Sequence, residues 1–380
     1  MQNKNYLLAI AMMVATIVGG GLFALPYAFA VAGFWPTMIV FIGLAVVSVI
    51  IMLMFGEVVL RTKGTHHQAV GYAEKYLGKK GKVMMLLVTM ASGYGGLLIY
   101  TIGVGDFMHR LFDHTVFESE LVWGLIFFAV AALFVILGVK SIARLDFGLL
   151  FVFIGIVVAV FVLAIPEWGP ENFVYANIER VLFPFGIIIF SLMGSSAIPL
   201  LDDMLIGKKR KLKGVIIWGS VIAILISLVF ALAVFGMGGV ETTDDALGTV
   251  QVHLPTYVSF FMGIFGIIAM GTSFLTTGVV LREIFEYDYK IKRVLALFLV
   301  LSVPLVLFLL NIAGFASAIG FVGSITGGLG AILFILMYRR ARVKSEKEPE
   351  YKVRFSPAIQ VTLIIVYIIA MLYEIYALIF

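Results

Sequence analysis

The chain has 380 residues, of which 62% are hydrophobic and only 13% are charged, whereas soluble domains are about 45–50% apolar and about 25% charged. So little charge cannot cover the surface of a water-soluble fold of this size, which excludes soluble enzymes, coiled coils and disordered chains. The mean hydropathy of +1.12 and the recurrent apolar runs, each long enough to cross a bilayer, predict an all-α polytopic membrane protein.

Eleven membrane spans are predicted, and they are numbered here in chain order. Their ranges are 6–32, 34–61, 83–108, 119–139, 143–165, 180–204, 213–237, 255–281, 291–310, 312–338 and 357–379. Residues 63–80, between spans 2 and 3, are poor in apolar side chains and are predicted to form a surface helix. The remaining loops are short, so no separate soluble domain is expected.

The positive charges are distributed very unevenly between alternate loops. If the N-terminus lies inside, all but two of the 27 Lys and Arg residues fall in inner segments, the two exceptions being Arg110 and Arg180. By the positive-inside rule, this predicts a multi-pass plasma-membrane protein with a cytoplasmic N-terminus and an extracellular C-terminus. We interpret the basic loops as topology signals that face anionic lipid, not as nucleic-acid sites.

Metal and thiol chemistry find little support in the composition. Cysteine is absent, which excludes disulfides, thiolate zinc sites, haem attachment and thiol catalysis. Only two of the five histidines, His66 and His67, are neighbours, and they lie in a basic loop. We expect no metal site there and no cofactor other than a possible bound Na⁺.

Spans 1 and 6 are interrupted by the same pattern. Residues 21–26 and 194–199 both read Gly-x-x-Ala-(Leu/Ile)-Pro, and Gly19 and Gly20 precede the first copy. Glycine weakens a helix and proline removes a backbone donor, so both helices should break here. Freed backbone groups cannot face lipid and must line a polar cavity or bind a ligand. Two kinked helices without a ligand are the alternative.

The positions of the two breaks favour a transport site. They fall in the first helix of each of two five-span halves, residues 1–165 and 180–340, with residues 356–380 as an additional span. Because five is odd, the second half enters the membrane from the opposite side. Interrupted helices at corresponding positions of two inverted halves are typical of a transporter with its site at the membrane midplane.

At these residues the chain resembles the amino acid/auxin permease branch of the amino acid–polyamine–organocation superfamily, which includes aromatic and hydroxy amino acid permeases. The resemblance rests on residues 19–29 with Ala32-Gly33, on Phe55-Gly56-Glu57 with Arg61 and Gly71-Tyr72-Ala73-Glu74, on Tyr100 with Gly105-Asp106, and on residues 184–199. It implies a LeuT-type fold of ten core helices, with span 11 as an addition.

The resemblance also implies a binding site for a zwitterionic amino acid. In the unwound stretch Val18-Gly19-Gly20-Gly21-Leu22, the amides of Gly20, Gly21 and Leu22 would donate to the substrate carboxylate, helped by the dipole of a half-helix. Carbonyls near Phe190, Ser191 and Gly194 would accept from the ammonium group. Selectivity for the substrate side chain would come from Met193, Ser195 and either Tyr94 or Tyr100, for which plain core packing is the alternative.

The coupling ion is less clearly indicated. Thr272, Ser273 and the Ala269 carbonyl in span 8 look like the span 8 ligands of sodium-coupled LeuT-type transporters, with Ala15, Thr16 and Val18 on the span 1 side. Such hydroxyls can also bond to their own helix. Proton coupling would need a titratable group at depth. The candidates are Glu57, Asp202 and Asp203 at the inner ends, where Glu57 is expected to pair with Arg61. Sodium is favoured, and the proton stays open.

Other function classes are weaker. Gly103-Val104-Gly105-Asp106 and Tyr287-Asp288 resemble motifs of intramembrane aspartyl proteases, but the predicted topology places Asp106 and Asp288 on opposite sides of the membrane, and catalysis needs them in one site. A channel would usually show repeated pore loops or charged rings, and neither is visible in the sequence. A substrate-sensing receptor on a transporter fold is a further alternative. We therefore predict a cation-coupled symporter of neutral L-amino acids, not an enzyme, with no obligate protein partner.

Overall fold

The computed structural model describes residues 4–64, 68–112, 119–137 and 143–379. Throughout these residues the chain forms helices joined by turns and loops, which confirms the predicted all-α class. The histidine pair His66 and His67 lies outside the described residues. A single isolated β-bridge, between Gly33 and Ala176, is present in the described part of the chain.

Six helices occupy the sequence of predicted spans 1 to 5. They are α1 (Lys4–Ile17), α2 (Leu25–Ala32), α3 (Phe34–Arg61), α4 (Ala69–Leu111), α5 (Glu120–Leu137) and α6 (Ala143–Ala164). The predicted surface helix is the first part of α4. It is separated from the membrane part by Gly78, whose φ of 73° is a left-handed conformation that glycine adopts without strain.

Nine further helices follow. They are α7 (Pro184–Ser191), α8 (Ile198–Met204), α9 (Leu212–Gly238), α10 (Leu247–His253), α11 (Thr256–Glu283), α12 (Arg293–Leu309), α13 (Phe315–Val322), α14 (Gly328–Val343) and α15 (Pro357–Ile379). A π-helical turn, Gly323–Gly327, joins α13 to α14. Prolines in the first turns of α2, α7 and α8 suit positions where the amide has no helical partner.

Eight helical segments within the described residues are long and apolar enough to cross a membrane, which agrees with a multi-pass membrane protein. Asn5–Ile17 and Gly20–Ala32 together make a ninth, bent by 49°. Two shorter apolar helices, Phe151–Glu167 and Arg293–Leu309, lie where spans 5 and 9 are predicted. Many large apolar side chains on the outside of the bundle, such as Ile39 and Phe298, are exposed, as a surface covered by lipid requires.

The two ends of the bundle differ in charge. We call the end that carries Arg61, Lys209 and Arg340 the basic end, and the end that carries Asp244 and Asp245 the acidic end. The turn between α2 and α3 lies at the acidic end, because α3 runs from there to Arg61 at the basic end.

Helices α4 and α11 run antiparallel through the centre of the bundle. A Cβ atom at Gly93 would lie 2.7 Å from Leu281, and one at Gly263 would lie 2.8 Å from Leu111, so glycine allows close helix contact at both ends of this pair. Beside them, the rings of Phe23 and Phe107 pack edge to face with centroids 5.0 Å apart. The break between α1 and α2 is therefore held against the centre of the fold.

Candidate substrate and ion site

Helix α1 ends at Ile17, and regular α-helix resumes only at Leu25. Gly19 is extended, with φ −131° and ψ −157°, and a short 3₁₀ turn runs from Gly20 to Ala24. The first hydrogen bond of this turn joins the Leu22 N–H to the Gly19 carbonyl at 3.1 Å. The Leu22 amide is thus already engaged, whereas the amides of Gly20 and Gly21 precede that bond and have no carbonyl of the same turn to bond with.

A second break separates α7 from α8. Helix α7 ends at Ser191, the backbone is no longer helical at Leu192 (φ −108°, ψ 5°) and at Gly194 (φ −127°, ψ 11°), and α8 begins at Ile198. The carbonyl of Gly194 accepts from the N–H of Ala197 at 3.2 Å. Of the carbonyls expected to meet an ammonium group, that of Gly194 is therefore already used by the next turn.

The two breaks touch each other directly. The Ser191 hydroxyl contacts the Gly21 carbonyl at 2.8 Å and the Ile187 carbonyl at 2.7 Å, and its single hydrogen can serve one of them at a time. A Cβ atom at Gly21 would lie only 2.7 Å from both the Phe190 ring and the Ser191 hydroxyl. Glycine at this position is required because the two interrupted helices approach too closely for any side chain.

Around the same break, the neighbouring glycines differ in their surroundings. A Cβ atom at Gly20 would lie 3.3 Å from the Tyr100 ring and 3.3 Å from Met270, so α4 and α11 close this side. A Cβ atom at Gly19 would have no heavy atom within 4 Å. The open space beside the helix break therefore lies at Gly19, next to the amides of Gly20 and Gly21, which have no hydrogen-bond partner within the described part of the chain.

The other residues expected to select the substrate side chain do not all lie at the helix break beside Gly19. Tyr94 donates its hydroxyl to the Leu299 carbonyl of α12 at 3.1 Å, so of the two tyrosines only Tyr100 lies at the break. Met193 and Ser195 line a separate small cavity, together with Tyr367 of α15. At Gly194, a Cβ atom would meet Ile17 and Met13 of α1 at 2.6 and 2.9 Å, so this glycine serves helix packing.

The residues considered for a sodium site have local partners. The Thr272 hydroxyl donates to the Ala269 carbonyl of its own helix at 3.1 Å, and the Thr16 hydroxyl donates in the same way to Met12 at 2.9 Å. The Ser273 hydroxyl faces the phenol of Tyr100. Ala15 lies beside Thr16 on α1, and Val18 directly follows the end of that helix, its N–H bonded to the Val14 carbonyl at 2.8 Å. These oxygens suit an alkali cation chemically, because the Thr272 hydroxyl keeps its lone pairs for a cation while its hydrogen is donated to Ala269.

Residues 2–374 match the tryptophan/tyrosine permease family. The chain belongs to this family. The match confirms the resemblance to aromatic amino acid permeases, and a permease is a membrane transporter and not an enzyme. The motifs at Gly19–Phe29 and Pro184–Pro199, on which the resemblance rests, both fall inside the matched range.

Several relatives align over nearly the whole permease. Tyrosine-specific transport systems 1 and 2 of Haemophilus influenzae are 25% and 27% identical to it, over 95% and 91% of this chain and 93% and 90% of theirs. Glutamine transporter 2 of Aliivibrio fischeri is 24% identical over 88% of each chain. Among solved structures, MhsT in complex with L-phenylalanine has a TM-score of 0.66 at 18% identity over 98% of both chains, so the permease shares its fold.

A cavity of about 520 Å³ opens at the acidic end of the permease. Its lining includes Asp106, Arg110, Asp244 and Phe315. Burial and the neighbouring Asp245 raise the pKa of Asp244. Phe315 is fully buried at the inner wall of the cavity, and a Cβ atom at Gly103 would lie 2.5 Å from its ring and 2.7 Å from Met270. Phe315 and Met270 therefore separate the cavity from the break at Gly20.

At the basic end, Glu57 is fully buried and holds a loop in place. Its carboxylate pairs with Arg61 at 2.7 Å, as expected, and its second oxygen accepts from the backbone N–H of Val353 at 2.6 Å. The Tyr351 hydroxyl of the same loop donates to the Leu53 carbonyl at 2.8 Å. Glu57 thus clamps the segment 344–356, which joins α14 to α15, onto the end of α3. Asp202 instead pairs with Lys209.

The aspartates of the protease-like motifs lie far apart. The antiparallel contacts of α4 with α11 place Gly93 beside Leu281, and Asp106 is 13 residues beyond Gly93 in one direction while Asp288 follows α11 in the other. At 1.5 Å per helical residue, this separates the two by about 30 Å. They cannot share one catalytic site.

Two features of the structure were not predicted from the sequence. The first is the Ser191 hydroxyl as a link between the breaks. Its position on the last turn of α7, one turn after Ile187, was the available signal. The second is the clamp of Glu57 on Val353, which is 296 residues away in the chain and leaves no local signal in the sequence.

Proposed function

We propose that the permease is a secondary active transporter that carries neutral L-amino acids together with a cation by alternating access. The observation that carries the proposal is the direct contact of two interrupted helices at Gly21 and Ser191, with unbonded amides and open space beside them. Irregular backbone at membrane depth is stable only where it is buried in protein or lines a cavity. Such paired breaks are the usual substrate site of transporters built from inverted repeats.

The backbone groups at the two helix breaks suit a zwitterionic substrate. The amides of Gly20 and Gly21 would bind the carboxylate, and the Ser191 carbonyl, which ends α7, would accept from the ammonium group. The side chains at the break, those of Tyr100, Phe190, Ser191 and Met270, are uncharged. A site that matches both charges of an amino acid with backbone dipoles has no unpaired charge when it is empty, which keeps it stable within the membrane.

The relatives support the choice of substrate class. Two are named for tyrosine and one for glutamine, and the structural neighbour was solved with L-phenylalanine. All three amino acids have uncharged side chains. The aromatic ring of Tyr100 and the thioether of Met270 at the break favour an apolar or aromatic side chain over a charged one.

For the coupling cation we favour sodium over the proton. Thr272, Ser273 and the Ala269 carbonyl on α11 would supply hard oxygen ligands. Ala15 and Thr16 at the end of α1, and Val18 just beyond it, would supply the others. Glu57, the most deeply buried acid at the basic end, is occupied by Arg61 and the backbone of Val353, which makes it a poor proton carrier. Asp202 remains the alternative proton site in the proton-coupled version of this proposal.

The proposed architecture has eleven spans arranged as two inverted halves, residues 1–165 and 180–340, with the basic end in the cytoplasm. Single cysteines in place of Lys209 and Asp244 test it, because the chain has no native cysteine. A membrane-impermeant thiol reagent applied to intact cells should label the cysteine at 244 and spare that at 209. Labelling of both from outside would contradict the topology.

Uptake into proteoliposomes tests the function. The purified protein is reconstituted, and the radiolabelled L-amino acids tyrosine, phenylalanine, tryptophan and glutamine are offered under a sodium gradient alone, a proton gradient alone, or neither. We expect concentrative uptake of at least one of them under the sodium gradient. Uptake that follows the proton gradient alone would show that the proton, and not sodium, is the coupling ion. Equal retention of the amino acids in protein-free liposomes would refute transport by this protein.

A further inference from the structure

A carboxylate lies within the C-terminal helix of the permease. Glu374 is the one charged residue between Pro357 and Ile379, a helix long and apolar enough to cross a membrane. It lies five residues, or about 8 Å, before the last residue of the helix. Ionisable side chains inside membrane helices are costly and usually have a function, so its surroundings decide which one.

The Glu374 carboxylate faces another helix. One of its oxygens accepts from the Ser324 hydroxyl at 3.2 Å. The other lies 3.4 Å from the position that a Cβ atom of Gly320 would occupy. Ser324 belongs to the π-helical turn Gly323–Gly327 and is only 1% exposed. Such turns are frequent at functional sites because they interrupt the regular hydrogen-bond ladder.

This turn also touches α7, the helix that ends at the substrate site. A Cβ atom at Gly186 would lie 2.0 Å from the Gly320 carbonyl and 2.5 Å from the Ser324 hydroxyl, so the backbones of α7 and α13 are in contact. Ser324 is therefore placed between α7 on one side and Glu374 of α15 on the other.

One further contact completes the connection to the site. A Cβ atom at Gly323 would lie 2.9 Å from the Cβ atom of Phe190. The Phe190 ring in turn lies against Gly21. The Glu374 carboxylate is thus connected to the helix break by a continuous series of packed groups: Ser324, Gly323, Phe190 and Gly21. Because the backbones are in close contact at the glycines, a displacement of one of these groups must displace its neighbours.

The charge state of Glu374 must matter in this position. Among the described residues, the Ser324 hydroxyl is its hydrogen-bond partner, and no charged side chain occurs in Pro184–Ser191 or between residues 315 and 330. Glu374 acts electrostatically on the neighbouring Tyr373, on which Arg180 acts as well. Glu374 is half-buried. One neutral hydroxyl does not offset the cost of removing part of a carboxylate from water, so any packing change that exposes or buries the group changes its proton affinity.

We propose that Glu374 is a proton-binding site that adjusts the affinity of the permease for its substrate. The proton is the ligand, and the π-helical turn at Ser324 transmits its presence to α7 and hence to Phe190 and Gly21. By thermodynamic reciprocity, substrate binding must then change the proton affinity of Glu374 by the same factor. The inference rests on the proposed function in that the substrate is an amino acid bound at the break, and it is independent of which cation drives transport.

The test is the pH dependence of substrate affinity in purified protein. The Kd of L-tyrosine is measured from about pH 5 to about pH 8 at constant sodium concentration. A difference of one pKa unit between the free and bound protein corresponds to an affinity change of about tenfold across this range. Glu374→Gln, whose amide has the shape of the neutral acid, should keep the Kd within about twofold at every pH and equal to the acidic-limit value of the unmodified protein.

A matched control and a second variant make the result specific. Glu348→Gln changes an exposed acid on the loop at the basic end and should retain the full pH profile. Ser324→Ala, which removes the hydroxyl partner, should shift the midpoint of the profile while leaving it visible. A Glu374→Gln profile as steep as that of the unmodified protein, or a flat profile in the unmodified protein, would overturn the proposal.

A readout that needs no substrate separates this proposal from the proposed function. Infrared difference spectra between acidic and alkaline pH should show a protonated carboxyl band that is present in the unmodified protein and in Glu348→Gln but missing in Glu374→Gln. If no amino acid binds yet this band titrates, the proposed function fails and the proton site stands. If amino acids bind and the band is unchanged in Glu374→Gln, the proton site fails alone. Thermal unfolding of each variant verifies that it is folded.

Discussion

Replacing Gly19 by alanine is the mildest change that the structure offers at the substrate site. The backbone of Gly19 is extended, a conformation that alanine adopts without strain, and the added methyl group would meet no heavy atom within 4 Å. The variant should therefore fold as the unmodified permease does. Its methyl group would enter the open space beside the amides of Gly20 and Gly21, where the substrate carboxylate is proposed to bind.

The size of the effect follows from the hydrogen bonds at risk. A hydrogen bond between a backbone amide and a carboxylate contributes about 1.5–3 kcal/mol, because one partner is charged. A methyl group that prevents one such bond should raise the Kd of the substrate by about tenfold to a hundredfold. The effect should appear for every amino acid that binds, since the carboxylate is common to all of them.

Gly43→Ala is the matched control. Gly43 lies in α3, and a Cβ atom there would also have no heavy atom within 4 Å. Both variants add one methyl group to open space, but only the one at Gly19 is at the helix break. Equilibrium binding of radiolabelled L-tyrosine to purified protein, together with a thermal unfolding curve, compares them. We expect Gly43→Ala to bind within about twofold of the unmodified protein, with equal or slightly higher stability.

The reasoning would be refuted by a Gly19→Ala protein that is folded and binds with unchanged affinity. The carboxylate would then not lie beside Gly19. A loss of binding accompanied by a lower melting temperature would be uninformative on its own, and for that reason the unfolding curve is recorded on the same samples.

Three further predictions concern neighbouring groups. Gly21→Ala should lower the melting temperature and impair binding, because its Cβ atom would be forced to within 2.7 Å of the Ser191 hydroxyl, and such overpacking costs about 1–3 kcal/mol; unchanged stability would show that the breaks can separate freely. Thr272→Ala combined with Ser273→Ala should abolish sodium-stimulated binding but spare binding at saturating substrate, whereas intact sodium stimulation would make both hydroxyls structural. Because burial raises the pKa of Asp244, its ionisation should destabilise the acidic end as pH rises through that pKa; Asp244→Asn should flatten this part of the melting-temperature profile, and an unaltered profile would assign the dependence to another group.

The helix breaks could be predicted from the sequence because their causes are local. Three consecutive glycines before Pro26, and Gly194 before Pro199, disrupt the helix whatever surrounds them. The course of the chain at residues 18–24 and 192–197 follows directly from that chemistry. The long smooth apolar runs between the breaks likewise determine helices by their composition alone.

The roles of single side chains could not be predicted, because they depend on which way each helix is turned. Tyr94 and Tyr100 are six residues apart and so lie about 120° apart around α4. Either could have faced the break, and the packing of α4 against α12 selects Tyr100. Met193 and Ser195 lie next to the break in sequence, yet the chain turns them towards a separate cavity. Only the tertiary arrangement decides such choices.

The full set of partners of a buried charge could likewise not be predicted from the sequence. Glu57 and Arg61 are one helical turn apart, so their ion pair follows from the sequence. The second acceptor bond of Glu57 goes to the backbone of Val353. No pattern of residue types marks that backbone group as a partner, and it becomes apparent only when the loop after α14 is seen to fold back on α3.

The central claim is that the two helix breaks hold the amino acid, and a structure of the permease with bound L-tyrosine tests it most directly. The account predicts density for the substrate at the junction of α1, α2 and α7, with its carboxylate oxygens about 2.7–3.1 Å from the amide nitrogens of Gly20 and Gly21 and its side chain beside Tyr100. Density instead in the acidic-end cavity, or in the cavity lined by Met193 and Ser195, would contradict it.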